Sequence, residues 1–233
     1  NDMPDEPAAY GLAGWTENDK EILIYDRYDI WSINPLSGAS KNVTNGLGRK
    51  TGITFRYVDF TAERPFRRFS VKEKPIVSTK PMWLSAFDNN TKENGWYLKT
   101  LVNSKDPKLA VMAQRSYSNP SIAKDGNAFI YTKANYQQSP DLYVSRDFKA
   151  ETKLSALNPQ QANYNWGTAE LVKWTTPKGY KSNGILYKPE DFDPNQKYPM
   201  IVYFYEKLSD GLYNYIAPAP TPSRLNISYF VSN

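Results

Sequence analysis

The sequence predicts a mainly β chain, with about three blades of a partial β-propeller over residues 1–165 and the first strands of an incomplete α/β domain over 166–233. Three observations lead there. The chain is rich in aromatic residues, with 18 Tyr and 6 Trp among 233, rings that suit half-buried strands where one edge packs and the polar tip reaches water or backbone. One hairpin pattern recurs along the first 165 residues. Past Trp166 the apolar residues change from alternation to a nearly continuous run.

The first unit opens with Asp19-Lys20, followed by a strand at Glu21–Tyr25, a short turn and a strand at Asp29–Ile33. A turn at Asn34-Pro35-Leu36-Ser37-Gly38 leads to the tail Lys41-Asn42-Val43-Thr44. The same order returns at Lys124-Asp125-Gly126, with strands at Ala128–Thr132 and Asp141–Ser145 and a tail at Lys153-Leu154-Ser155. Between these two, Met82–Phe87 and Gly95–Lys99 make a third hairpin across residues 88–94, with a looser tail at Lys108-Leu109-Ala110. Tyr143 follows Tyr97 by 46 residues, close to the length of one four-stranded propeller blade. Tyr97 follows Trp31 by 66, which predicts an insertion around Asp59 to Lys80. Trp31, Tyr97 and Tyr143 are expected in equivalent strands. An ordinary β-sandwich also spaces strands by turns, but the recurring strand pattern favours blades. Propellers close with more blades than are visible here, so the chain is expected to be the last part of a larger one.

Composition sets limits on chemistry. The chain has no His and no Cys, which excludes Ser-His and Cys-His hydrolytic sites within it, disulfides, and thiolate or imidazole metal centres. No acidic run has the spacing of a calcium loop; no cofactor and no metal are expected. The net charge is +5, yet Lys and Arg are scattered, and the one tight group is Arg64, Arg67 and Arg68. Without a basic stripe interleaved with aromatics, nucleic-acid binding is not expected. No apolar stretch reaches the ~20 residues needed to span a bilayer. The acidic opening lacks the pattern of a secretion signal, so the compartment is not legible. A periplasmic or secreted location is expected if a longer parent carries a signal.

After Trp166, Glu170–Thr175 and Asn183–Pro189 are expected to pair as a hairpin around Thr176-Pro177-Lys178-Gly179. A polar connector over 190–197 then leads to Tyr198–Tyr205, a run typical of a strand buried on both faces of an α/β sheet. Trp174, the stretch Gly184-Ile185-Leu186-Tyr187-Lys188-Pro189, Lys197-Tyr198-Pro199 and the run ending Tyr203-Phe204-Tyr205 resemble the entry into the hydrolase domain of prolyl oligopeptidase family serine peptidases. The nearest branch is the one like dipeptidyl peptidase IV. The resemblance is specific over 166–205 and architectural over the blades. It implies a propeller followed by an α/β-hydrolase domain, a Ser-Asp-His triad in the whole protein, and hydrolysis of short peptides.

The resemblance carries one residue role. Tyr205 stands where the family has a Tyr at the end of its first strand, whose hydroxyl helps to form the oxyanion hole, a role suited to a donor held rigidly where charge develops. The small residues that commonly follow that Tyr are replaced here by Glu206-Lys207-Leu208. The family nucleophile sits in a Gly-x-Ser-x-Gly elbow, and this chain contains no such motif. Ser209 has neither that context nor a histidine to take its proton. The adjacent Glu pair that binds the substrate amine in the dipeptidyl branch is also absent. Nucleophile, acid and base are therefore expected outside this chain.

Two classes of function follow. One is a fragment of a serine-type exo- or oligopeptidase, inactive alone, supplying blades and an oxyanion Tyr. Its expected partners are a peptide substrate, the remainder of the hydrolase domain and a second copy in a homodimer. The other is a noncatalytic propeller binding module, for which Tyr28, Tyr117, Tyr136 and Tyr164 are candidate exposed aromatics.

Overall fold

Residues 6, 8–62, 74–204, 207–220 and 225–232 are described by a computed structural model of the chain. Among them, twelve strands form three antiparallel sheets of four, each a meander in chain order, and two more strands form a separate hairpin. The first sheet holds β1 (Leu12–Trp15), β2 (Ile22–Tyr25), β3 (Ile30–Ile33) and β4 (Ser40–Asn42). The second holds β5 (Ile53–Val58), β6 (Met82–Asp88), β7 (Asn94–Lys99) and β8 (Lys108–Ala113). The third holds β9 (Ser116–Ile122), β10 (Phe129–Ala134), β11 (Asp141–Ser145) and β12 (Glu151–Lys153). The hairpin is β13 (Thr168–Thr175) with β14 (Lys181–Lys188). The described α-helices are two single short turns, α1 (Leu47–Thr51) and α2 (Ile227–Val231).

The repeat read from the sequence is present in the register. Trp31, Tyr97 and Tyr143 lie in the third strand of their sheets, opposite Ile24, Leu84 and Tyr131 of the second strands. Because side chains alternate across a strand, Ile30, Trp96 and Leu142, each one residue earlier, point to the other face. That alternation builds two layers of core. Leu23, Ile30 and Val43 of the first sheet pack against Phe55, Leu84 and Ala86 of the second, with Tyr97 beside them. On the other side of the second sheet, Trp96 and Trp83 meet Phe129, Tyr131 and Tyr143 of the third. The second sheet thus presents one face to the first and the opposite face to the third. This stacking is that of neighbouring propeller blades.

The third strands of the first and third sheets start in the same way. Asp29 is buried, and its carboxylate accepts from Thr44 Oγ1 at 2.6 Å and from the amides of Gly48 and Arg49 at 2.9 and 3.0 Å. Asp141 is buried too, and accepts from Ser155 Oγ at 2.8 Å, the Leu157 amide at 3.0 Å and Lys153 Nζ at 2.6 Å. In both, a carboxylate at the start of the third strand ties down the chain leaving the fourth, satisfying donors that burial would otherwise leave unpaired. Gly48 has to be glycine for this, since a Cβ there would come within 2.9 Å of the Asp29 carboxylate and 2.7 Å of the Ile53 carbonyl. In the second sheet the position of Asp29 and Asp141 is taken by Gly95 in β7, where a Cβ would lie 1.9 Å from the Val111 carbonyl oxygen. Strand β8 runs so close there that no side chain fits.

The insertion expected around Asp59 to Lys80 is the connection from β5 to β6. Its described end returns to the first sheet, where the Ile76 amide donates to the Trp15 carbonyl at 2.8 Å and the Ile76 side chain is buried in the first core layer.

One expectation is corrected. The run from Tyr198 is not a strand over its described residues, and it is not buried: Met200 is 73% exposed, Val202 70% and Phe204 84%. A strand buried on both faces needs partners at its edges and cover on each side, and no described element provides either here.

Candidate functional site

Tyr205, the residue to which the family resemblance gives the oxyanion role, lies outside the described residues, as do Arg64, Arg67 and Arg68. Ser209 is buried in the 3-10 turn Leu208–Gly211, and with no histidine in the sequence it has no imidazole base. Of the four candidate aromatics, Tyr136 is buried and Tyr28 lies beneath the guanidinium groups of Arg27 and Arg49. Tyr117 packs on Trp96, 5.0 Å between ring centroids. Only Tyr164 stays open, and it lines a groove.

That groove, of about 430 Å³, runs between the third sheet and the start of β13, and is lined among others by Gln137, Gln138, Asp141, Asn158, Trp166 and Glu190. Its floor is a joint between the sheets and the chain after residue 165. The Trp166 indole N–H donates to the Tyr136 carbonyl at 2.6 Å, and the Trp166 amide donates to Glu190 Oε2 at 3.1 Å. The Trp166 ring stacks on Tyr215, 5.4 Å between centroids and 2° from parallel. Asn158 Nδ2 donates to the Tyr215 hydroxyl at 2.9 Å, and that hydroxyl donates to Gln161 Oε1 at 3.2 Å. Tyr136 also meets Tyr187 of β14, at 4.9 Å. Burial, and secondarily Tyr187, push the Tyr136 phenol up to about 12, so it stays a neutral donor and its O–H reaches the Trp166 carbonyl at 3.3 Å.

The groove's buried carboxylate is already committed. Burial alone would raise the pKa of Asp141, but the Lys153 ammonium, the Ser155 hydroxyl and the Leu157 amide together hold it below the usual carboxylate value. The amides of Asn158, Gln138 and Gln161 are likewise paired, Gln138 Nε2 donating to the Tyr143 hydroxyl at 2.7 Å and Gln161 Nε2 to the Gln137 carbonyl at 2.8 Å. Among the described residues there is no group of three acidic, His or Cys side chains able to hold a metal. No described helix is long and apolar enough to cross a membrane. What the arrangement does is hold the chain after residue 165 against the end of the third sheet.

A second joint lies on the second sheet. Lys92, in the turn between β6 and β7, is buried, and its ammonium reaches Asp210 Oδ1 at 2.7 Å. The turn is stiffened by Asp88, whose carboxylate accepts from the amides of Asn90 and Thr91 at 2.7 and 3.1 Å. Leu212, two positions after Asp210, is buried. The chain around residue 210 is therefore held by the second sheet, and that around residue 215 by the segment that follows the third. Sequence reasoning used Trp166 and Asp141 only as a boundary and a strand start, and it missed Lys92, Glu190 and Tyr215. The alternation of apolar residues does not reveal a lysine whose partner lies 118 positions away.

No family model and no curated protein matches this sequence. Solved structures do. A Bacteroides ovatus protein described as a dipeptidyl aminopeptidase IV aligns over 95% of this chain with a TM-score of 0.60 and 15% identity. The chain spans 32% of that protein's length. The isopeptidase AtxE2 aligns over 73% of this chain and 31% of its own, with a TM-score of 0.43 and 12% identity. A structure from work on two prolyl endopeptidases aligns over 77% and 31%, with a TM-score of 0.37 and 13% identity. At these identities the likeness is one of fold, and it rests on the first alone. The chain shares the mainly β, sheet-after-sheet architecture of that neighbour.

Proposed function

We propose that this chain is a segment of a serine-type exo- or oligopeptidase of the prolyl oligopeptidase group, in the branch like dipeptidyl peptidase IV. Residues 1–165 are the C-terminal blades of its propeller, and residues 166–233 begin its α/β-hydrolase domain. The segment supplies blades and the oxyanion donor Tyr205, while the nucleophile, acid and base of the triad come from outside it. The observation that carries this reading is the fold alignment over 95% of the chain, which takes in the stacked sheets together with residues beyond 165. The match of residues 166–205 to the hydrolase entry supports the same reading from the sequence side. The joints at Trp166 and Lys92 fit it as well, since a peptidase domain following a propeller needs a fixed seat on it.

The reading has a direct kinetic consequence. The 233-residue chain is expected to hydrolyse no chromogenic dipeptide above background, because it lacks the base and the activated nucleophile. A positioned general base alone contributes ~10²–10⁴ in rate. The complete gene product is expected to hydrolyse such substrates. Turnover by the isolated chain, or none by the complete product across a panel of dipeptide substrates, would remove the assignment.

A further inference from the structure

Three guanidinium groups gather at the turn between β2 and β3. Arg49 reaches the Asp26 carboxylate at 2.9 Å. Arg56 donates to the Phe55 carbonyl at 2.7 Å and to the Asp26 carbonyl at 3.1 Å, and its guanidinium lies 4.6 Å from the centre of the Tyr25 ring. Arg27 and Arg49 both lie over the Tyr28 ring, at 5.2 and 5.5 Å. The two carboxylates of the turn are already committed. Asp26 also accepts from the amides of Tyr28 and Asp29 at 2.7 and 2.6 Å and from the Trp31 indole N–H at 3.1 Å. Asp29 is buried with its own partners at Thr44, Gly48 and Arg49. Among the described residues, neither Arg27 nor Arg56 has a carboxylate within ion-pair distance. Like charges gathered in this way repel one another, and the turn supplies no further anion to offset them.

The cluster lies on the side of the sheets where the later chain is seated. The Tyr28 carbonyl accepts from the Phe55 amide at 2.8 Å, and the Gly52 carbonyl accepts from the Asn89 amide at 3.1 Å and from Asn89 Nδ2 at 2.7 Å. Asn89 belongs to the same β6–β7 turn as Lys92, whose ammonium holds Asp210. The arginines therefore stand one turn away from that seat, on the same rim. We propose that Arg27, with the charges of Arg49 and Arg56 beside it, binds a carboxylate of the peptide substrate, either its free C-terminus or an acidic side chain. The proposal rests on the peptidase reading above, because a peptide held between the blades and the domain that begins at residue 166 meets this rim. Guanidinium groups suit the task, since each presents paired N–H donors that match the two oxygens of a carboxylate. Arg56 is fixed by backbone carbonyls and by Tyr25, so its charge is in place before the ligand arrives and costs little further ordering.

Turnover of two matched pairs of short peptides by the complete gene product is the test, with products separated by chromatography. One pair differs only in a free C-terminal carboxylate against a carboxamide. The other is amidated and differs only in Glu against Gln. The charged member of at least one pair is expected to show the lower KM, by about 3–10-fold, between the worth of an exposed ion pair and that of a charge-assisted hydrogen bond. The pair that shows it identifies the carboxylate. Arg27→Gln is expected to abolish the preference and Arg27→Lys to keep part of it. Lys124→Gln, in the exposed turn between β9 and β10 at the other end of the strands, is expected to leave it intact. Arg27 is exposed, and circular dichroism checks that each variant keeps its strands. No preference in the wild type, or one that survives Arg27→Gln, overturns the proposal. So does an Arg27→Gln variant that melts lower and handles both members of a pair equally worse, the mark of an ion pair with another part of the protein. A complete product that turns over no peptide fails the peptidase reading instead. Titration calorimetry of the same pairs then decides the site: a preference for the charged member that Arg27→Gln removes supports it, and its absence overturns it.

Discussion

Tyr205→Phe in the complete gene product is expected to lower kcat by ~10²–10³, or ~2.7–4 kcal/mol of transition-state stabilisation, the usual loss when one oxyanion donor is removed. KM and thermal stability are expected to change little. The phenolic O–H matters chiefly once the carbonyl oxygen has become charged, so ground-state binding loses little when the hydroxyl goes. A Tyr that merely packs behaves differently. Phe fills the same volume, so losing a solvent-facing hydroxyl is nearly silent, and losing a buried, paired one costs about 0.5–1.5 kcal/mol of stability without a selective effect on kcat. Steady-state kinetics together with a thermal melt of the Phe variant distinguish these cases. Wild-type kcat in that variant removes the oxyanion role.

Trp96→Ala is expected to produce the largest loss of stability among substitutions in the sheets. Trp96 is 3% exposed. Its ring lies 5.2 Å from Phe60, 5.3 Å from Tyr131, 5.1 Å from Phe148 and 5.0 Å from Tyr117, between centroids. The residue therefore packs on Phe60 of its own sheet's β5–β6 connection and joins the second sheet to the third through three aromatic contacts, with Tyr131 and Phe148 edge-on, the geometry such pairs prefer. Truncating a buried Trp to Ala typically costs about 3–5 kcal/mol. Domains are stable by only about 5–15 kcal/mol, so the midpoint of urea unfolding should fall sharply. Leu98→Ala, two positions along on the same strand, is a milder comparison because Leu98 is only partly buried. A loss below about 1 kcal/mol for Trp96→Ala would mean that the layer repacks without it.

The parts of the fold that were legible are those where side chains meet side chains in a short period. The second and third strands of each sheet carry alternating apolar residues on either side of a turn, and those hairpins appear where the pattern puts them. First strands were harder. Strand β9, Ser-Tyr-Ser-Asn-Pro-Ser-Ile, is polar and contains a proline, yet pairs with β10 along its length. Strand β1 is four residues long, with Gly14 in a left-handed region and a register shift beside it. Both are edge strands, where a neighbour on one side supplies the pairing and local preference decides less. The run from Tyr198 misled for the opposite reason. Its composition describes a buried environment that the described elements do not supply.

The joints were less legible than the sheets. Lys92 and Asp210, or Trp166 and Tyr215, are brought together by the way whole modules sit, and no spacing in the sequence encodes those contacts. The repeated carboxylate is an intermediate case. Asp29 and Asp141 stood out as strand starts, but only the structure shows that each closes the loop after the fourth strand with three hydrogen-bonded partners. The proposed catalytic role of Tyr205 rests on its family position alone, and kinetics are the way to test it.

The central claim is that this segment belongs to a serine peptidase whose nucleophile lies outside residues 1–233. Labelling with a serine-reactive fluorophosphonate addresses it most directly, with the modified residue located by mass spectrometry. The complete gene product is expected to be labelled at one serine beyond this segment, and the 233-residue chain alone to take up no label. Labelling of any serine within the segment, Ser209 included, or a complete product that remains unlabelled, would contradict it.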